Sequence, residues 1–221
     1  MDIGNNSDQP MGLKFGPIVL MPDIEKRHLF TLFFGAFFGI ASMAFVNVFN
    51  YSIFSALQIP QEEFGSVAGT LTAVQEVVVV SVIGLFGALS DKVGRRLVYS
   101  MGFFLLGIGY FIYPLADNTT ELYLFRIFVA LGCAANTVML PTVANDYVHG
   151  STRGRLIAFT SILNGLGLVL IISTFRNFAT FYEQLEAPEI LINLGYDTAN
   201  WAQYTFWSAS AMVFIVSIVL Y

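Results

Sequence analysis

Along most of this chain apolar residues neither alternate with polar ones nor recur at helical spacing, but run on almost without interruption. Six such stretches, approximately 29–57, 66–89, 97–115, 122–147, 156–175 and 201–221, are long enough to cross a hydrocarbon core as helices, which takes about 20 residues each. Strands of a transmembrane barrel would alternate over about ten residues, so the runs predict an all-α membrane protein, a six-transmembrane-helix bundle. Short connections rich in breakers and charge separate them at 60–65, 90–96, 116–121 and 148–155, and a longer polar one at 176–200. Residues 1–27 precede the bundle of 28–221, and Pro10, Gly12, Gly16 and Pro17 interrupt them, which reads as a loose cytoplasmic arm.

Composition agrees. Only 11% of the 221 residues are charged while 56% are hydrophobic, whereas a soluble domain carries roughly a quarter charged residues. The net charge of −5 matters less than where the basic residues sit, because Lys and Arg near helix ends stay on the cytoplasmic side. Lys14, Lys26 and Arg27 precede the first span, Lys92, Arg95 and Arg96 fill the second connection, and Arg153 and Arg155 fill the fourth. The amino end is therefore expected in the cytoplasm, with Glu62, Glu63, Asp117, Glu121, Glu183, Glu186, Glu189 and Asp197 outside. No cleavable signal precedes the spans, which fits a plasma membrane, bacterial inner membrane in particular. The sixth span runs into Tyr221 with no basic flank, which reads as a chain cut at the end of helix six. Cys133, the single cysteine, excludes an intrachain disulfide and a zinc spacing. Nothing supports nucleic-acid binding, a cofactor or a metal, and no nucleophile motif suggests an enzyme.

The second connection carries constrained chemistry in ten residues, Gly87-Ala-Leu-Ser-Asp91-Lys92-Val-Gly94-Arg95-Arg96. Gly87 and Gly94 allow close approach and a sharp turn. Asp91 lies at the carboxyl end of a helix, where the macrodipole disfavours an anion, so it calls for a positive partner. Arg95 and Arg96 can supply one or bind lipid phosphate, and a plain basic turn would also account for them.

This string resembles the signature of the major facilitator superfamily between its second and third helices. Asp146, followed by Arg153-Gly154-Arg155, is similar to the acidic residue and Arg-Gly that many members carry between helices four and five. In span four Arg126, Gly132 and Ala134 match that family's pattern in part, with Val129 and Ala130 in place of its Gln and first Gly. The Gly-Pro pair of its proton antiporters is absent, since Asn164-Gly165-Leu166-Gly167 has no proline. The resemblance covers roughly residues 25 to 221 and implies the amino-terminal six-helix half of a transporter whose second bundle completes a central cavity. It further implies that Gly87, Asp91, Gly94, Arg95, Arg96, Asp146 and Arg153 form a cytoplasmic gate.

Ionisable groups within the spans are functional candidates, because each costs on the order of 3 kcal/mol at the bilayer centre unless it faces the bundle or water. Glu76 lies near the middle of span two, on a helical face with Gly69, Ala73, Val80, Gly84, Gly87 and Asp91. That small-residue face is expected to be the helix contact. There Glu76 serves proton or substrate coupling, or stands as a protonated structural carboxyl bonded to Gln75. Arg126 either snorkels to headgroups or faces the cavity and couples to an anion or to Glu76. Asn47, Asn50 and Tyr51 share a face of span one, and Asn136 shares one with Gly132 in span four. In the family these helices line the cavity, so the four are candidate solute contacts, with interhelical hydrogen bonding as the alternative. Gly35 and Gly39 mark the contact face of the Phe-rich first span, and Trp201, Tyr204 and Trp207 read as interfacial anchors.

These readings combine into a secondary active transporter of a small solute, with proton-coupled symport through Glu76. Its partners are the lipid bilayer and a second six-helix bundle, in the same chain or another copy. A non-transporting receptor or assembly subunit and a self-associating half-transporter remain as alternatives.

Overall fold

The computed structural model describes residues 14–22, 24–184 and 201–221. Six long helices carry the apolar sequence: α1 (Lys26–Ala56), α2 (Phe64–Val93), α3 (Arg95–Ile112), α4 (Thr119–Tyr147), α5 (Arg153–Gln184) and α6 (Trp201–Leu220). All six are long and apolar enough to cross a membrane. A chain in hydrocarbon must satisfy every backbone N–H and C=O within the segment, and the helix does so.

The helix ends follow local chemistry. Between α2 and α3 the connection expected over 90–96 shrinks to Gly94 alone, at φ +98 and ψ 139. Only glycine adopts that backbone without strain, so one residue reverses the chain. α4 begins at Asn118, whose side-chain oxygen accepts the Glu121 backbone N–H at 3.0 Å, and the Glu121 carboxylate accepts the Asp117 N–H at 2.9 Å, satisfying donors that a helix start leaves open. α5 continues to Gln184, so residues 176–184, expected in a loop, are helical; a helix need not stop where its apolar run stops. Residues 185–200, with Glu186, Glu189 and Asp197, lie outside the described residues, as does the fold of the first 13.

α3 packs against α4 and α6, α1 against α5, and α2 against α4. Small residues set the distances. A Cβ on Gly132 would stand 2.6 Å from Leu106 Cγ and 2.8 Å from the Gly102 carbonyl oxygen, and one on Gly35 would meet the Tyr99 ring at 2.7 Å. Phe45 fills the centre, stacked on Phe49 at 4.6 Å and edge-on to Phe175 and Phe206 at 5.1 and 5.2 Å. Trp207, expected only as an anchor, donates its indole N–H to the Phe111 carbonyl at 3.1 Å and so also ties α6 to α3.

The described part of the amino-terminal arm is not loose. Strands β1 (Lys14–Phe15) and β2 (Ile18–Val19) form an antiparallel hairpin turned at Gly16, φ +55. Ile18 and Leu20 are buried with Val148 and Leu156. The His149 N–H donates to the Val19 carbonyl at 3.1 Å, the Met21 N–H to the Tyr147 carbonyl at 3.0 Å, and Arg155 Nη1 to the Pro17 carbonyl at 3.0 Å. Gly16 and Pro17, read as interruptions, are turn residues, and the apolar residues after them supply the hairpin's buried side.

If close approach at α3–α4 holds the bundle, Gly132→Val destabilises it by roughly 1–3 kcal/mol or more, read as a fall in the thermal midpoint of the detergent-solubilised protein. Gly150→Ala, at a position where a Cβ meets no atom within 4 Å, leaves the midpoint in place.

Candidate functional site

Three charged side chains meet where α2, α3 and α4 end together. Arg95 opens α3, and its Nε lies 2.8 Å from Asp146 Oδ2 in the last turn of α4. Its Nη2 lies 3.6 Å from Asp91 Oδ1 in the last turn of α2. One guanidinium thus faces two carboxylates, each at a helix carboxyl end where the dipole already repels it. Exposures of 36% for Arg95, 44% for Asp146 and 70% for Asp91 keep each pair in the weak class, about 0–1 kcal/mol. Arg96 points elsewhere and donates from Nε to the Leu220 carbonyl at 2.8 Å. Gly87 meets open space. Arg153 opens α5 with its side chain exposed and makes no ion pair among the described residues.

The face of α2 is the reverse of the expectation. Val67, Leu71, Gln75 and Val79 are buried, against α4 and its neighbours, while Gly69, Glu76, Val80 and Gly84 are exposed. A stripe of small residues marks a close contact only where a helix lies over it, and among the described residues none does; the larger apolar ridge packs instead. A cavity of about 330 Å³ opens between α1, α2 and α4, with Met43, Asn47, Gln75, Glu76, Cys133 and Thr137 in its wall. Glu76 therefore stands at the edge of an open cavity and outside the packed interior. Gln75 Oε1 is buried without a partner among the described residues.

Behind that wall Arg126 is 0% exposed, the largest fully buried side chain among the described residues. It does not reach the surface. Its Nη2 donates to the Asn47 side-chain oxygen, its guanidinium carbon lies 5.9 Å from the Tyr113 ring centroid, and Nε and Nη1 lack partners among the described residues. The Tyr113 hydroxyl donates to Asn50 Oδ1 at 2.8 Å. Of the residues expected at a cavity, Asn47 reaches it. Asn50 is buried and taken up by Tyr113. Tyr51, 57% exposed, lies edge-on to Phe64 at 5.4 Å. Asn136 is buried, with its Nδ2 donating to the Gly132 carbonyl at 3.1 Å and its side chain against Gly102 of α3. Helical spacing places residues on a face but does not say which neighbour covers it. Cys133 and Thr137, one turn apart on α4, also line the cavity; no sequence signal sets them apart from the other small residues of that helix.

A family model for the Major Facilitator Superfamily matches residues 32–221. The riboflavin transporter RibZ of Clostridioides difficile is 27% identical over 139 residues, covering 63% of this chain and 30% of that protein. The magnetosome protein MamH of Paramagnetospirillum magneticum is 28% identical over 125 residues, covering 53% of this chain and 29% of that protein. In structure, the chain resembles the inward-open xylose transporter XylE from E. coli with a TM-score of 0.60 at 19% identity, over 89% of this chain and 47% of that one. The chain thus spans about half the length of that transporter, and its matched stretches cover less than a third of either curated relative.

The polar chain from Asn50 through Tyr113 to Arg126 can be tested by stability. Asn50→Leu leaves the buried Tyr113 hydroxyl without its acceptor and lowers stability by about 1–3 kcal/mol. Asn47→Asp gives Arg126 an ionised acceptor, with hydrogen bonds roughly twice as strong as neutral ones, and raises the thermal midpoint. Equal midpoints for all three proteins would show that this chain does not contribute to the fold.

Proposed function

The chain belongs to the major facilitator superfamily, and from that membership we propose that it forms the amino-terminal half of a secondary active transporter of a small polar solute. A second six-helix bundle completes the cavity, and rocking of the two bundles exposes it to alternate sides of the membrane. The basic end of this bundle faces the cytoplasm, by the distribution of Lys and Arg.

The observation that carries this reading is the Arg95 guanidinium between Asp91 and Asp146, in the signature string that the family places between helices two and three. A pair worth about 1 kcal/mol or less suits a gate, since it biases one state and still lets go. In this reading Gly94 makes the tight turn, Gly87 leaves its side of α2 open to the second bundle, Arg96 fixes α3 to α6, and Arg153 serves the second bundle. The solute sits against Asn47, Gln75 and Thr137, and Glu76 at the cavity edge takes up and releases the coupling proton. The amides and hydroxyl in the wall suit a polar solute, which needs its own hydrogen bonds replaced on leaving water.

The gate can be tested before the solute is known. In the full-length protein carrying Thr137→Cys, with Cys133 replaced by Ser, Asp146→Asn raises labelling by an impermeant thiol reagent added from the cytoplasmic side. Labelling that matches the parent from both sides removes the gate role. For the coupling role, Glu76→Gln abolishes accumulation driven by a pH gradient while solute exchange at equal pH persists; undiminished accumulation sinks it.

A further inference from the structure

At the basic end a second cavity, of about 170 Å³, lies between α1, α3, α4 and α6. Arg27, His28, Arg96, Tyr99 and Tyr147 form its polar wall over an apolar floor that includes Leu32 and Val143, and among the described residues no carboxylate lines it. Each arginine has its Nε engaged, Arg96 at a backbone carbonyl and Arg27, whose side chain is 75% exposed at the cavity mouth, at a surface carboxylate. Arg27 Nε lies 2.8 Å from Glu25 Oε2, and Arg96 Nε donates to the Leu220 carbonyl at 2.8 Å. An arginine held this way keeps its two terminal nitrogens for another acceptor, and neither guanidinium has a further hydrogen bond or ion pair among the described residues. His28 Nδ1 accepts the Glu25 backbone N–H at 3.2 Å, so in the neutral ring the proton is on Nε2, a further donor. The Tyr99 hydroxyl is buried and without a partner among the described residues.

Donors thus outnumber acceptors around a space that holds about five or six waters at roughly 30 Å³ each. Two planar guanidinium forks match the oxygens of a phosphate, and the apolar floor accommodates the carbon part of an ester. We propose that this cavity binds a phosphate-bearing anion, as a lipid headgroup or a soluble phosphoester, between Arg27 and Arg96. Binding there does not depend on the solute cavity or on the transport reading. Its link to the gate rests on that reading and runs through the chain itself, because Arg96 follows Arg95 and Tyr147 follows Asp146. An occupant that bridges Arg96, Tyr147 and α1 fixes the two backbones from which the gate's ion pair projects.

The test uses the intact protein in phosphate-free, non-ionic detergent, with the thermal midpoint followed by tryptophan fluorescence. The probes are inorganic phosphate, glycerol 3-phosphate, short-chain phosphatidylglycerol and, as the zwitterionic control, short-chain phosphatidylcholine. A saturable rise with phosphatidylglycerol alone supports the proposal with the headgroup as source, and an equal or larger rise with glycerol 3-phosphate or phosphate supports it with a soluble source. Arg27→Gln combined with Arg96→Gln weakens that binding by about tenfold or more. Thr31→Trp, which fills the same cavity without altering charge, also removes it, and provides the test if the double variant does not fold. Arg155→Gln, at the same end but bonded to Pro17, leaves it unchanged. No saturable rise with any probe overturns the proposal. So does an equal response to phosphatidylcholine, or undiminished binding in Thr31→Trp.

Discussion

In hydrocarbon, burying a Leu between two helices gains little over leaving it among acyl chains, so the closeness of backbone approach decides what holds this bundle together. α3 is where that constraint is met. Gly102 and Gly107 open its two sides, to Asn136 of α4 and Phe214 of α6. The serines then bond across the gap: Ser100 Oγ to the Ser217 carbonyl at 2.8 Å, Ser217 Oγ to the Ser100 carbonyl at 2.9 Å, and Ser210 Oγ to the Gly107 carbonyl at 2.8 Å. Each such bond contributes on the order of 0.6–2 kcal/mol in a membrane. They depend on the approach that glycine permits, and so do the positions of α4 and α6.

The Asp91–Arg95–Asp146 cluster, proposed above as a gate, inherits its geometry from that packing. With α4 fixed against α3, Asp146 arrives beside the first residue of α3, and Gly94 brings Asp91 there without a loop. Turning a population from 1:99 to 99:1 needs about 5.5 kcal/mol, several times what half-exposed pairs supply. The ion pairs can therefore set a bias but not supply a full switch, and the described residues offer apolar surface for further contacts on the exposed faces of α2 and α5. Those faces carry Val80 at 73% and Val169 at 63% exposure, apolar surface that either lipid or another bundle can cover.

Legibility in the sequence followed the range of the interaction. The six spans could be read because each is a property of one continuous stretch, and the Asp91–Arg95 contact because both residues lie within one short string. The close approach at Gly35 was readable too, since glycine weakens a helix interior and a neighbour packed closely against it offsets that loss. Which side of α2 is packed was not, because the small stripe through Glu76 and the ridge through Leu71 are equally regular and only the position of α4 selects between them. Asn50 and Asn47, three residues apart, looked equivalent until Tyr113, 63 positions along from Asn50, claimed one of them. The hairpin at residues 14–19 escaped for the same reason: its ladder is local, but its buried partners, Val148 and Leu156, lie far along the chain.

Arg126 shows how such non-local contacts bear on function. A guanidinium that is wholly buried with two nitrogens unpartnered costs stability, and its Tyr113 and Asn47 neighbours offset the cost without neutralising the charge. Asn47 is an amide, so the positive field passes through it toward the cavity, in surroundings where screening is weaker than in water. Glu76 stands in the same wall, on α2, and makes no ion pair with Arg126 among the described residues. A direct Arg126–Glu76 ion pair would cancel the guanidinium's field at the cavity. Placing Arg126 one layer behind the wall, with a neutral amide in front of it, keeps a field that orients any dipolar occupant.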